Sequence, residues 1–568
     1  MKVSFVKRNY VLAAILTLAV IPYFVNLGAS SLWDSNEAFY AETPRVMIES
    51  GDYINPSFNS RPRFNKPPFC YWVVAAFYKL FGVSETTERL PITLGAIIMI
   101  GTAFALGRSI FSIEAGVFAA TAMALSPRFL MFSRRIIIDV YLSMFCALAL
   151  LFFVLAEIRP ERRRLYLLLM YVSVGLGILT KGPVAAILPA AAFFIYLTTT
   201  RRLGKLREMM LPAGFLIIAV IVLPWYLIIY SEHGWLYIKS FLLDDNISRY
   251  TEPVWGPRRG LFFYVPVIVG DMFPWSLFLL AGLWVAASRV LRMKFFRKDE
   301  SNLEYFDSPL RFHPPAILLL VWMAVIVVFF SISSNKEDLY ILPIYPAAAA
   351  VVGGMLAQMS GARASLRRPF GAAAAIIGIL LAAGGAAILY LLSQSYELAG
   401  SLIIGYVAII GGLIAIAAAL TKKELAAVLC TAAAVIVINW VFVLKTLPDF
   451  ERYKPARTFS EIIKAEAAPD ALVGYYRLAS PSMSFYLRRH IFEYYRPEEL
   501  QAAFSSGKKV YCLIAAEDYE AIKASLPGET LILASQPVFR LKLRSILDRN
   551  EIPQVLLITG VGEAIGLQ

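Results

Sequence analysis

Ionisable side chains are concentrated in the segment from Trp33 to Trp72, directly after the first long apolar run. Aromatic residues and prolines separate the charged members, which are Asp34, Glu37, Glu42, Glu49, Asp52, Arg45, Arg61, Arg63 and Lys66. A carboxylate can accept a proton, and Lys or Arg can bind an anionic group. Because charged groups at a membrane edge are costly to keep, this segment is a candidate functional site.

Further charged groups recur later in the chain, near the ends of apolar runs. They are Arg134, Arg135, Asp139, Lys181, Asp244, Asp245, Arg249, Lys336, Glu337 and Asp338. Acids and bases that meet at one face of a membrane are typical of a group-transfer site. Lys181 lies in LTKGP, which lacks the Gly-x4-Gly-Lys-Ser/Thr spacing of a nucleotide-binding phosphate loop and so does not predict one.

The elements that must position these groups are membrane spans. The 568 residues are 59% hydrophobic and 17% charged, with a mean hydropathy of +0.65, whereas soluble domains are about a quarter charged. A helix of about 20 apolar residues crosses the hydrocarbon layer. We predict about thirteen spans, near 10–30, 89–110, 114–131, 139–157, 165–181, 183–199, 211–230, 261–288, 314–333, 339–358, 370–393, 400–420 and 425–446. The stretch 69–82 is too short to span and predicts an interfacial helix.

Basic residues predict the orientation of these spans. Arg and Lys are enriched in five short loops, at 159–164, 201–207, 289–298, 363–368 and 422–423. With thirteen spans these loops share the side of the N-terminus, and positively charged loops stay in the cytoplasm. We therefore expect a multi-pass protein of a bacterial inner membrane with a cytoplasmic N-terminus. Separate basic loops, rather than one basic stripe, argue against binding of nucleic acid.

The chain after about residue 447 differs in character. β-like runs at 471–476, 509–515 and 529–535 alternate with helical stretches at 458–467 and 517–526, which predicts a small α/β domain. We divide the chain into a membrane domain, 1–447, with a first outward loop at about 31–88, and a periplasmic domain, 448–568. The four cysteines and three histidines are scattered and predict no metal site.

Several motifs together resemble a known superfamily. The segment LWDSNEAFYAETPRVMIESGDYINP…FNKPPFCYW is similar to the first periplasmic loop of the polyprenyl-phosphate-sugar glycosyltransferases. That superfamily includes the protein O-mannosyltransferases and the lipid A aminoarabinose transferases. RRIIIDVYLSMF, GILTKGPVAAILP, YVPVIVGDMFPW and FSISSNKEDLYILPIYPAAA match later family segments in order and spacing. The resemblance implies a polytopic α-helical membrane protein of the GT-C fold.

The resemblance also implies a reaction. A sugar would move, with inversion, from a polyprenyl-phosphate donor to a periplasm-facing acceptor, which is lipid A, another glycolipid or a protein. Lys66 and Arg249 match the family's phosphate-binding positions, and Tyr340 could add a phenolic hydrogen bond. A carboxylate on the acceptor side would take the hydroxyl proton. No cofactor is required, because Lys and Arg can neutralise the phosphate, and a divalent metal stays an open alternative.

The chain departs from the family at two positions. Asn36 stands where many relatives have Asp before the acid at Glu37, and an amide cannot act as a base. We expect Asp34 to be the base, with Glu37 in support and Asp139 as the next candidate. Asn65 precedes the lysine where aminoarabinose transferases tend to have Glu, which weakens the expectation of that aminosugar. Lys181 and Lys336 are further candidates for the site.

Structural roles compete with these assignments. Lys66 could contact lipid headgroups, Tyr340 could belong to an aromatic belt, and Lys181 could simply end a helix. Asp139 could be paired with Arg134 or Arg135. For the whole chain, the alternative is a transporter or flippase of lipid-linked sugars, which predicts charges near span centres and broken helices in matched halves. The charges cluster at one face instead, so the transferase is the favoured interpretation.

Overall fold

The computed structural model describes residues 5–252, 259–284, 314–359, 364–395, 398–539 and 552–561. The predicted basic stretch 289–298 and the start of the one at 363–368 lie outside these ranges. The helices up to residue 453 are α1 (Phe5–Val20), α2 (Asn36–Ser50), α3 (Phe69–Phe81), α4 (Glu85–Ile110), α5 (Ile113–Ala124), α6 (Pro127–Ser133), α7 (Ile138–Ile158), α8 (Arg163–Lys181), α9 (Val184–Thr199), α10 (Leu211–His233), α11 (Trp235–Ile238), α12 (Arg249–Thr251), α13 (Tyr264–Asp271), α14 (Ser276–Trp284), α15 (Pro314–Ile332), α16 (Tyr345–Met359), α17 (Ala364–Ser395), α18 (Ser401–Leu420), α19 (Glu424–Val441) and α20 (Leu447–Asp449).

Nearly half of these helices have the length and composition of membrane spans. Among the described residues, nine are long and apolar enough to cross a bilayer, or up to eleven if two bent pairs each count as one span. The bent pairs are α5 with α6, at 68°, and α13 with α14, at 120°. A count of thirteen also needs α1 and α9, each 16 residues long. The polytopic helical architecture is confirmed, whereas the count of thirteen stays a prediction.

Local sequence signals explain where helices begin and how closely they pack. The hydroxyl of Ser84 accepts a hydrogen bond from the amide of Thr87 at 3.2 Å and so caps α4. Glycines allow close approach between α17 and α18, since a Cβ added at Gly378 would lie 2.7 Å from the carbonyl oxygen of Gly412. Small residues at such crossings are the usual means of packing helices in lipid.

Short folded elements connect the spans at the predicted outward face. In the first outward loop, α2 is followed by an antiparallel hairpin of β1 (Ser57–Phe58) and β2 (Arg61–Pro62), and then by α3. α3 has 13 residues, which is short for a span. Two irregular helices complete this face, a π-helical segment at Lys239–Ser248 and a 3-10 helix at Asp338–Ile344.

The C-terminal region contains a five-stranded mixed sheet. Its elements are α21 (Pro455–Glu466), β3 (Leu472–Tyr476), α22 (Ser482–Leu487), β4 (Phe492–Tyr494), α23 (Pro497–Phe504), β5 (Lys509–Ala515), α24 (Ala516–Ile522), β6 (Thr530–Pro537) and β7 (Gln554–Val561). The strand order is β4-β3-β5-β7-β6; β3 pairs in parallel with β4 and β5, and β7 pairs antiparallel with β5 and β6. The three predicted strands and the two predicted helices are confirmed.

Sequence reasoning missed β4 and β7. The segment of β7, QVLLITGV, is a nearly continuous apolar run, which is typical of a buried central strand. It is inserted between β5 and β6, so the sheet is not built from the alternation of strands and helices alone. The domain boundary near residue 447 stays a prediction.

The C-terminal region is docked on the first outward loop by hydrogen bonds between residues 420 to 454 positions apart. The side chain of Asn59 and the backbone of Ile491 bond reciprocally, at 2.8 and 2.9 Å. The amide of Ser31 donates to Glu451 at 2.7 Å, and the amide of Leu32 donates to Tyr486 at 2.8 Å. The conformation of the loop therefore depends on the C-terminal region.

Candidate active site

Lys66 and Arg249 meet at one carboxylate. Lys66 follows the hairpin in the first outward loop and forms an ion pair with Asp245 of the π-helical segment. Arg249 Nη1 lies 3.3 Å from the same carboxylate, one helical turn further along the chain. The side chains of Lys66 and Asp245 are only 11% and 12% exposed, so this is a largely desolvated pair of charges. The two predicted phosphate-binding residues are thus neighbours.

A second ion pair lies beside the first. Lys181, the last residue of α8, is paired with Asp139 in the first turn of α7. The Lys181 ammonium also lies 4.8 Å from the ring centre of Tyr340, which is in the 3-10 helix at Asp338–Ile344. The structure therefore brings Asp139, Lys181 and Tyr340 together from three separate parts of the chain.

Electrostatics join the two pairs into one group, which we call the cation cluster: Lys66, Lys181, Arg249 and Arg63, with Asp245 and Asp139. Burial lowers the pKa of Lys66 well below its ordinary value; the charges of Lys181, Arg249 and Arg63 lower it further, and Asp139 opposes them. Each of these groups therefore acts on the Lys66 ammonium. Four cations face two carboxylates, and the surplus positive charge favours an anion.

Glu37 has a different environment. Its Oε1 accepts hydrogen bonds from Arg89 Nε at 2.8 Å and from the amide of Ile136 at 3.3 Å. Its Oε2 accepts from Arg89 Nη2 at 2.8 Å and from the amide of Trp33 at 2.7 Å. The side chains of Glu37 and Arg89 are 2% and 1% exposed. Both oxygens are engaged inside the protein, and the expected role of Glu37 in support of the base stays a prediction.

Arg89 completes this arrangement by binding the backbone of the preceding loop. Its guanidinium donates to the carbonyl groups of Leu27, Ser30 and Ser31 at 2.7 to 2.9 Å. Burial alone would raise the pKa of Glu37. The charge and hydrogen bonds of Arg89, the charge of Lys454 and the amide of Trp33 together outweigh this and hold the pKa below its ordinary value. The pair fixes the entry of the first outward loop into the membrane region.

Asp34 is turned toward the C-terminal region. Its carboxylate accepts hydrogen bonds from the amide and the hydroxyl of Ser482, at 2.7 and 2.8 Å, in the first turn of α22. Asp34 is nevertheless exposed to solvent. This carboxylate thus serves as a docking contact, and a role as the base stays a prediction.

Three predicted residues remain, Asn36, Asn65 and Lys336. Asn36, at the start of α2, and Asn65, beside Lys66, are both exposed. Lys336 donates to the carbonyl oxygen of Ser333 at 2.6 Å and is engaged within its own loop. In the part of the chain that the structure describes, no three His, Cys, Asp or Glu side chains are arranged to hold a metal ion.

The two alternative pairings for Asp139, with Arg134 and with Arg135, are wrong. Arg134 is buried and donates to the carbonyl groups of Pro22, Tyr23 and Asn26. The guanidinium of Arg135 lies 4.8 Å from the ring centre of Trp33. The partner of Asp139 is Lys181, because the ends of α7 and α8 are adjacent and the backbone carbonyl groups already engage Arg134.

Sequence reasoning underrated two groups in the site. Arg89 stands in the second turn of a long apolar helix, and an arginine within an apolar helix is itself a signal of function. In the sequence Asp245 is one of several neighbouring charges, and its pairing with Lys66 across 179 positions follows from tertiary structure alone.

Solved structures share this architecture. The structure superposes on that of ArnT from Cupriavidus metallidurans in the apo state with a TM-score of 0.77, covering 99% of this chain and 100% of that one, at 21% identity. The structure of the same protein bound to undecaprenyl phosphate gives a TM-score of 0.76 over 98% and 99% of the two chains, also at 21% identity. The chain therefore has the GT-C fold, and the resemblance found in the sequence is confirmed.

Sequence comparisons agree with this assignment. Residues 65–228 match the family described as dolichyl-phosphate-mannose-protein mannosyltransferase. An undecaprenyl phosphate-alpha-4-amino-4-deoxy-L-arabinose arabinosyl transferase of Pseudomonas fluorescens is 27% identical over 61% of this chain and 56% of its own length. A protein of Aquifex aeolicus is 28% identical over 61% of this chain and 64% of its own length. The chain thus spans somewhat less than two thirds of the length of these relatives.

Proposed function

We propose that the chain is a membrane glycosyltransferase that moves a sugar from a polyprenyl-phosphate donor to an acceptor at the outward face. The observation that carries this proposal is the surplus of cations in the cation cluster. A donor phosphodiester bears about one negative charge, and the departing monoester approaches two. Cations fixed there in advance stabilise the departing phosphate more than the bound donor.

Lys66 and Arg249 are the phosphate ligands in this proposal. The carboxylate of Asp245 already lies between them, so an anionic oxygen fits that position. Lys181 and Tyr340 form the adjoining wall. Asp139 is paired with Lys181 at this wall, and in this proposal it lies beside the reacting sugar. Asp34 stays the candidate base on the acceptor side, with inversion at the sugar carbon.

The acceptor we propose is a glycolipid, such as lipid A, or a protein exposed at the outward face of a bacterial inner membrane. Support for a lipid-linked donor comes from the names of the relatives, which refer to undecaprenyl phosphate. We further propose that no cofactor is needed, since the cation cluster supplies the positive charge. Transfer should then continue unchanged in the presence of a strong chelator of divalent metals.

The test is sugar transfer by the purified full chain from a polyprenyl-phosphate sugar, measured as release of polyprenyl phosphate. Lys66→Ala should lower the rate by about 10²–10³, as for loss of one electrostatic donor in a preorganised site. The control is Lys79→Ala, which removes a cation of α3 that stacks on Tyr53. Its rate should match that of the unsubstituted chain.

A second measurement, on the chain reconstituted in vesicles, separates a transferase from a flippase of lipid-linked sugars. A flippase moves the donor across the bilayer without breaking the bond between sugar and phosphate. Transport of an intact donor in vesicles, with no polyprenyl phosphate released, would refute the proposed reaction. Equal rates for the Lys66→Ala and Lys79→Ala variants would remove Lys66 from the site but leave the reaction class standing.

A further inference from the structure

A polar cavity lies between the membrane region and the C-terminal region, and it shares no lining residue with the cation cluster. Its volume is about 250 Å³. One wall is the turn between α3 and α4, including Val83 and Glu85, and the other is formed by α21 and α22. Sites between two packed regions are common places for ligands.

The charged residues of this cavity are unevenly paired. Arg457 lies 3.7 Å from Glu85 and 3.4 Å from Glu461, so it forms ion pairs with both carboxylates. Lys464 and Arg488 also line the cavity, are exposed, and form no ion pair with any residue in the described part of the chain. Three cations against two carboxylates leave a net positive charge, carried by the two free side chains.

Exposed apolar side chains stand next to this positive cavity. α3 ends with Leu80 and Phe81, which are 73% and 64% exposed, just before Val83 in the cavity wall. α3 is too short to span a bilayer and buries its other face. An apolar tip beside free cations has the pattern of a lipid contact, in which acyl chains cover the apolar residues and the basic residues bind the headgroup.

We propose that this cavity binds the phosphate headgroup of an anionic membrane lipid, distinct from the lipid-linked donor. Lys464 and Arg488 contact the phosphate, and Leu80 and Phe81 contact the acyl chains. Tyr486, in the cavity wall, already links the C-terminal region to the first outward loop. Its hydroxyl accepts a hydrogen bond from the amide of Leu32 at 2.8 Å and donates one to Glu85 at 3.2 Å. A lipid that contacts α3 on one side and Lys464 and Arg488 on the other bridges the same two regions, and so strengthens the docking of the C-terminal region on the first outward loop.

The experiment uses the purified full chain in a neutral detergent. Its unfolding temperature is measured with dioctanoyl phosphatidylglycerol, with dioctanoyl phosphatidylcholine and with inorganic phosphate. Phosphatidylglycerol should raise the unfolding temperature with a saturable dose response, because a ligand that binds only the folded state stabilises it. Phosphatidylcholine and inorganic phosphate should have little effect at the same concentrations.

The variant Lys464→Gln/Arg488→Gln should bind phosphatidylglycerol about thirtyfold more weakly, since each basic residue contributes roughly fivefold to binding of anionic lipid. Glutamine keeps a polar side chain without the charge, and both positions are exposed, so the fold should persist. The matched control, Lys508→Gln/Lys523→Gln, removes the same charge at exposed positions outside the cavity. It should respond like the unsubstituted chain.

Three outcomes would overturn the proposal. An equal response to phosphatidylcholine would mean that acyl chains alone bind. An equal response to inorganic phosphate would mean that the cavity takes a free anion and not a lipid. Equal weakening in both double variants would mean that total charge matters and the cavity does not. Repeating the titration on Lys66→Ala, where the response should be retained, separates this site from the proposed donor site.

Discussion

The substitution Glu37→Gln tests whether Glu37 stabilises the fold or takes part in the reaction. It keeps the size of the side chain but removes the charge that faces Arg89, in a pair whose side chains are 2% and 1% exposed. Removing one partner of a buried ion pair leaves the other charge uncompensated, at a cost of roughly 3–5 kcal/mol. Arg89 retains its three backbone carbonyl partners, so the lower end of that range is expected.

The cysteines provide the assay. Cys70, Cys146 and Cys512 are buried, so a thiol-reactive dye labels them only as the chain unfolds. Heating the purified protein with this dye should show a clearly lower unfolding temperature for Glu37→Gln. The control, Glu49→Gln, lies on the same helix and carries a half-exposed carboxylate paired with Arg45. Its effect should stay within about 1 kcal/mol, as for exposed ion pairs.

The stability of the protein in acid should depend on the same ion pair, Glu37 with Arg89. Because the folded-state pKa of Glu37 lies below its ordinary value of 4.5, its contribution to stability is complete above that pH. The contribution is lost as the pH falls through the folded-state pKa. The unsubstituted chain should therefore lose stability in this acid range, and Glu37→Gln should lose less. A Glu37→Gln variant that unfolds like the unsubstituted chain yet transfers no sugar would refute the structural role and make Glu37 a chemical group.

Three further predictions test the phosphate site, the docking of the C-terminal region and the membrane orientation. Asp245→Asn should lower the KM for the donor by about tenfold or more, because Lys66 loses a competing bond to a charged group worth about 1.5–3 kcal/mol; a raised KM would mean that Asp245 positions Lys66 for the donor. Asp34→Asn and Ser482→Ala should both speed proteolytic cleavage between the membrane and C-terminal regions, since each weakens the same docking contact; loss of transfer only in Asp34→Asn, with donor binding kept, would instead identify Asp34 as the base. A C-terminal alkaline phosphatase fusion should be active, as expected for an outward C-terminal region; activity only with a cytoplasmic reporter would reverse the orientation.

The convergence of charged residues on one site could be predicted, because such residues recur at the ends of the apolar runs. The length of the helices alone places charged residues that end apolar runs at a membrane face. The sequence could therefore predict that one site contains Lys66, Arg249, Asp139, Lys181 and Tyr340. The same reasoning could not rank Asp34 against Glu37. Both are acids in one short stretch, and their hydrogen-bond partners, Ser482 and Arg89, lie 448 and 52 positions away.

The sequence by itself determined the class of architecture and the chemical types at the site. Apolar runs of span length leave few alternatives in a bilayer, since every backbone group must be bonded within a helix. Only the tertiary structure decided which charges pair. Lys66 with Asp245, Lys181 with Asp139 and Glu37 with Arg89 all join different elements, and each pairing depends on the packing that excludes water around it. The position of β7 between β5 and β6 was decided in the same way, because a strand's neighbours are set by the faces it must bury and not by its order in the chain.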